Sequence, residues 1–218
     1  MPVATKKSNP IEKLSIKWQT VSPLMINSQF INKLVSQMTT GLYGGAITIK
    51  QLPASFIDVS HIRDVPDTQE VFINETSTTS GKLDHSLIID LLEKVDPIEY
   101  QEAIHLHLQD IVPDHVHNQP LEEIDQDGIS RYFSYVTFKP EYKKIEPDSP
   151  KQIITLLCLI RLDKVDTDVM LQYIIPLKEH TEVNFNGDSE IDKYVQESYN
   201  NFKEIGLSFT VKDWSLFG

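Results

Sequence analysis

The chain has 218 residues, 40% of them hydrophobic and 24% charged, with a net charge of −12, which suits one globular domain of generous size. Its longest strongly apolar run, 153–160, is too short to cross a bilayer, and its start lacks the charged and apolar succession of a secretion signal. One cysteine, Cys158, precludes an internal disulfide framework and suits a reducing, intracellular compartment, and the acidic balance disfavours nucleic acid and anionic membranes, serving either simple solubility or a basic protein partner.

The charge is uneven. Lys6, Lys7, Lys13, Lys17 and Lys33 against Glu12 give the first 40 residues a charge of +4, so the remainder carries −16. Residues 1–40 hold Pro2, Pro10 and Pro23 and no sustained period, and read as a flexible extension. Phe30, Ile31, Leu34, Val35 and Met38 could make one short amphipathic helix within it. The domain is expected over 41–218, its first strand spanning 42–50 and a second 69–74. Leu87, Ile88, Leu91, Leu92 and Val95 suggest a helix over 86–95. Another is expected from Asp96 as cap, with Pro97 at its first position and Glu99 completing a capping box. It would carry Ile98, Ala103, Ile104, Leu108 and Ile111 up to Pro113.

Beyond this point the period changes to two. Residues 131–138, 152–162 and 167–177 read as strands, the middle one apolar on both faces and therefore covered on both. The link Asp163–Asp166 is too short for a crossover, so the last two pair antiparallel. Ser189 and Asp192 start a helix over 190–205, and 207–212 supplies a closing strand. The fold class is α+β, an antiparallel sheet between helices.

Motifs for chemistry are sparse. There is no phosphate-binding G-x-x-x-x-G-K-[ST] loop, and Gly41, Gly44 and Gly45 do not match a dinucleotide fingerprint, with no strand expected before them and no helix after. There is no G-x-S-x-G elbow, and Cys158 sits in an expected buried strand. His105 and His107 point to different sides of a helix, and His115 and His117 lack a third ligand, so no metal is expected, nor any cofactor. What remains is the polar segment from Asp58 to Phe72, with four acids before Val71 and a turn set by Pro66 that projects Asp67. Glu70 and Phe72 share one strand face, Gln69 and Val71 the other. From the residues alone, this is either a solvated acidic loop, with Asp58 or Asp64 paired to Arg63, or a binding surface.

Several stretches carry a resemblance. Leu42-Tyr43-Gly44-Gly45-Ala46-Ile47-Thr48, Phe56-Ile57-Asp58, Val65-Pro66-Asp67-Thr68-Gln69-Glu70-Val71-Phe72, Ile89-Asp90-Leu91-Leu92-Glu93, Leu159-Ile160-Arg161-Leu162, Thr167-Asp168-Val169 and Asp213-Trp214-Ser215-Leu216-Phe217 resemble, in order, the Mog-type Ran guanine-nucleotide release factors. The resemblance implies an α/β/α sandwich shared with the photosystem protein PsbP, binding to the small GTPase Ran, promotion of GTP release, and support of nuclear import from the nucleus and cytoplasm. It implies a non-catalytic, monomeric binding protein with Asp67 and Glu70 as Ran contacts, and Asp58, Arg63, Pro66, Gln69 and Phe72 around them. Val59 stands where the family usually has a small residue. The alternative is an acidic adaptor of the same fold that serves another basic partner without nucleotide release.

Overall fold

The computed structural model describes residues 39–76, 82–96, 99–109, 111–112, 116–141 and 149–218. The amphipathic stretch around Phe30, along with Pro97, Ile98, Pro113 and His115, lies outside them.

Strands β1 (Thr39–Leu42), β2 (Ile47–Lys50), β3 (Phe56–Asp58), β4 (Gln69–Asn74), β5 (His85–Glu93), β6 (Gln119–Gln126), β7 (Ile129–Phe138), β8 (Gln152–Leu162), β9 (Thr167–Leu177) and β10 (Thr210–Val211) accompany two helices, α1 (Tyr100–Leu108) and α2 (Glu190–Ser208). Seven strands form one sheet in the order β3-β4-β5-β9-β8-β7-β6, and β1-β2-β10 form a second. Every pairing is antiparallel. Continuous apolar sequence makes β8 a central strand, because only a position covered on both faces can bury both side-chain sets. Ile154, Leu156, Cys158 and Ile160 enter the larger core with Val195, Phe202 and Ile205 of α2 and with Leu42, Ile47 and Ile49 of the small sheet. Leu157 and Leu159 enter the opposite core with Ala103, Ile104 and Leu108 of α1. Full burial stabilises by roughly 1.5–3 kcal/mol for each such aliphatic side chain. The architecture is the expected helix-covered antiparallel sheet.

Helix α2 begins as its sequence requires: Ser189 accepts from Asp192 N, and the Asp192 carboxylate returns to the Ser189 backbone. Strands β4, β8 and β9 have the expected bounds, and a one-turn 3-10 link over Asp163–Val165 joins β8 to β9.

Three expectations are corrected. The helix read over 86–95 is strand β5, whose Leu87 and Ile89 face the larger core while Ile88 and Asp90 face away. Apolar residues on both sides of a strand mimic a helical stripe, and pairing with β4 and β9 decides between them. Helix α1 starts at Tyr100 and not at Asp96, Glu99 in the cap position makes no side-chain bond, and Ile111 lies beyond the helix with 56% of its surface exposed. The strand expected over 42–50 is broken at Tyr43–Gly45 by a 3-10 turn, so a strand does lead into the glycines, although no helix follows. Strand β6 was not legible, since Pro120, its acids and a register shift between Pro120 and Glu122 hide its alternation.

Candidate functional site

Asp58 ends β3 opposite Phe72 of β4, and its carboxylate accepts from Ser60 N at 2.8 Å, capping the 3-10 turn Val59–His61. It is thus engaged locally, with His61 Nε2 3.9 Å from its other oxygen, and not by Arg63. Val59 is buried, so the larger residue at this position roots the turn in the fold. Ile62, Arg63 and Asp64 are exposed, and Ile62 presents 70% of its surface to solvent. Its sequence signal was a lone isoleucine in a polar loop.

Next comes the turn itself. Pro66 O accepts from Gln69 N at 2.8 Å, leaving Asp67 and Thr68 at the exposed tip. Thr68 O accepts from Leu91 N at 2.9 Å, which seals the tip onto β5. Glu70 follows in β4, half-buried, while Phe72 is buried in the larger core. Pro66, Asp67, Gln69 and Glu70 are therefore brought together at one end of the sheet. Phe72 lies beneath them as an anchor, with no surface to offer a partner.

Glu70 is held from an unexpected quarter. Its carboxylate accepts a hydrogen bond from the Tyr43 backbone N–H, in the loop between β1 and β2. Tyr43 has φ +50°, followed by Gly44 at +66° and Gly45 at +93°, a left-handed run that a bulky residue rarely joins. Its hydroxyl lies 2.8 Å from Ile89 O and 3.1 Å from Thr68 O, straddling the β4–β5 junction. Burial raises the Glu70 pKa, the Tyr43 N–H draws it back only in part, and the nearby Asp58 adds to the rise. Burial and the charges of Glu70 and Asp90 keep the Tyr43 phenol protonated. Sequence reasoning missed Tyr43, because a backbone donor leaves no trace in the pattern of side chains.

Other polar groups are structural in character. Asp168 is fully buried, with Arg161 Nε at 2.9 Å and His107 Nε2 at 2.8 Å. Burial pushes its carboxyl upward, but His107, Arg161 and the Val95 N–H together hold it below the usual aspartate range. The His105 and His117 rings lie tilted against each other, with ring centres 5.6 Å apart. Among the described residues no group of three or more His, Cys, Asp or Glu is placed to hold a metal ion. A hollow of about 540 Å³ lies between the ends of β9 and α2, lined by Lys82, Leu83, Pro176 and Tyr194 among others, and it includes neither Asp67 nor Glu70. The Cys158 thiol is buried beneath α2, and burial raises its pKa far above that of a reactive thiol.

With this geometry in view, residues 40–176 match the family model described as Ran-interacting Mog1 protein. The chain belongs to the Mog1 family. It is 33% identical over 183 residues to the nuclear import protein MOG1 of Saccharomyces cerevisiae, covering 81% of this chain and 83% of that one. It is 28% identical over 186 residues to the human Ran guanine nucleotide release factor, covering 81% and 95%. The crystal structure of the Saccharomyces cerevisiae Ran-binding protein Mog1p superposes with a TM-score of 0.58 at 31% identity, covering 83% of this chain and 97% of that one. A further solved member is a glutamate-to-alanine mutant of Mog1, with a TM-score of 0.57. The family match spans β1 through nearly all of β9, and so includes the Tyr43 loop and the Pro66–Gln69 turn.

Proposed function

We propose that this protein binds the GTPase Ran and promotes release of its guanine nucleotide in support of nuclear import, acting as a binding protein without catalytic chemistry of its own in the nucleus and cytoplasm. The observation that carries the reading is membership of the Ran-interacting Mog1 family across 40–176. Asp67 and Glu70 are the contacts in this reading. Asp58, Arg63, Pro66 and Gln69 shape and flank them, Ile62 adds an apolar contact, and Phe72 anchors the strand from below. A GTPase holds nucleotide through Mg²⁺, a phosphate-cradling lysine and ordered switch loops. Carboxylates that engage those cationic groups better when the nucleotide is gone shift the equilibrium toward release. Asp67, on an exposed turn tip, can reach into such a site, while Glu70, partly buried and held at one oxygen, offers a fixed second charge.

The test is charge reversal of both positions, Asp67→Lys with Glu70→Lys, assayed by capture of Ran loaded with GTP, with GDP or stripped of nucleotide. Binding is expected to fall by at least about 100-fold, the scale of losing two interfacial charge contacts, and Asp67→Lys alone, which leaves the Tyr43–Glu70 hydrogen bond in place, is expected to weaken binding with the melting temperature nearly unchanged. Normal Ran affinity in the double variant would remove the patch from the contact. Failure of the unaltered protein to capture Ran in any state would favour an acidic adaptor for another basic partner.

A further inference from the structure

We infer that Tyr43 is a positioning residue for the Ran contact, presenting the Glu70 carboxylate in a fixed orientation from the opposite sheet. This rests on the assignment of Glu70 to that contact. Three observations converge on Tyr43. Its backbone is left-handed at φ +50° although asparagine or glycine would adopt that conformation more readily, and the two residues after it are glycines at +66° and +93°. Its N–H, turned by that conformation, donates to one Glu70 oxygen. Its side chain reaches across to the other strand pair, where the hydroxyl meets Ile89 O at 2.8 Å and Thr68 O at 3.1 Å. Unfavourable backbone geometry persists where the surroundings over-determine it, and here the surroundings are the site itself.

The arrangement has a direct consequence for binding. Thr68 is the tip residue next to Asp67, and Glu70 lies two residues further on, so Tyr43 touches both sides of the proposed contact with one side chain and one peptide group. A half-buried glutamate left to itself would sample several rotamers and pay for ordering when a partner arrives. Held by Tyr43, one oxygen is satisfied within the fold and the carboxylate plane is fixed. The link also explains why the small β1-β2-β10 sheet belongs to the site although none of its side chains reads as a Ran contact.

A thermodynamic cycle separates positioning from general support. In Tyr43→Phe the ring stays and the hydroxyl anchors go. Glu70→Gln keeps an acceptor for the Tyr43 N–H and removes the charge. Affinity for nucleotide-free Ran is expected to fall about five-fold in Tyr43→Phe, mostly through faster dissociation, and by clearly less when Tyr43→Phe is added to Glu70→Gln, where only the Thr68 tether is left to lose. The second readout is the Glu70 titration followed by carbon NMR of the labelled side chain in the protein alone. A hydrogen bond to the charged form lowers a carboxyl pKa, so loosening Tyr43 should move the Glu70 midpoint upward. An equal loss in both backgrounds, or an unmoved Glu70 midpoint, would overturn the positioning role. If Glu70→Gln alone leaves Ran affinity intact, the contact assignment fails first and the inference falls with it.

Discussion

In the β8–β9 hairpin, eleven consecutive residue pairs are matched across a single short link, and most of the residues are buried. At the Tyr43–Glu70 corner, a handful of groups from two sheets and distant parts of the chain meet, half of them in solvent. The hairpin buries its ionised groups only where they are fully partnered, as at Asp168 with Arg161 and His107. The corner keeps a carboxylate at some cost: Glu70 is partly desolvated beside Asp58, with its pKa raised. If the corner is the proposed Ran contact, stability and recognition are concentrated in different places, and the two regions should respond differently to substitution.

The largest separation is expected from Asp168→Ala, which leaves the buried Arg161 guanidinium without its carboxylate. A loss of about 3–5 kcal/mol in urea unfolding is expected, with unchanged Ran affinity for the molecules that remain folded. The same group carries a pH signature. Because its folded pKa is lowered, its contribution is complete above the ordinary aspartate value and is lost as pH falls through the lowered one. A smaller effect is expected from Gly206→Ala, whose added methyl would sit 3.0 Å from the Phe133 ring and 3.1 Å from Cys158 Sγ, costing about 1–3 kcal/mol by thermal unfolding. If either variant weakened Ran binding in step with stability, the division between the regions would not hold.

The smallest stability effect, with the opposite pattern, is expected from Glu70→Gln. A carboxyl whose folded pKa is raised favours the fold only while protonated, and ionising it costs stability as pH rises from the ordinary glutamate value through the raised one. Glu70→Gln should therefore match or slightly exceed the unaltered protein in melting temperature at neutral pH, by well under about 1 kcal/mol for a group this exposed, while binding Ran more weakly. A marked loss of stability at neutral pH would mean that the charge supports the corner instead of straining it.

The sequence was most readable where one physical signal dominated. Long, mainly apolar runs joined by a short link marked β8 and β9, and Ser189 with Asp192 marked the start of α2. Pro66 followed by Asp67 marked the turn. Reading failed where two signals overlapped. Leu87, Ile88, Leu91 and Leu92 satisfy a helical stripe as well as a two-sided strand, and only the neighbouring strands choose between them. In the proposed site, the acids and the proline were legible because charge and a fixed turn are properties of the side chains themselves. Tyr43 was not, since its part depends on a backbone N–H, a positive φ and a partner 27 positions away. Ile62 looked like an ordinary loop residue until its exposure was known.

The small sheet draws its strands from both ends of the domain. β2 lies between β1 and β10, and Lys212 N and Asp213 N both donate to Ala46 O, directly after the Tyr43–Gly45 turn. Ribosomal synthesis delivers Thr210–Asp213 long after Tyr43 and Glu70, and pairings this remote in sequence close late. The seven-stranded sheet can therefore assemble while the corner still lacks its final neighbour. The corner at Tyr43 and Glu70 therefore reaches its final set of neighbours only together with α2, whose Val195, Phe202 and Ile205 complete the larger core.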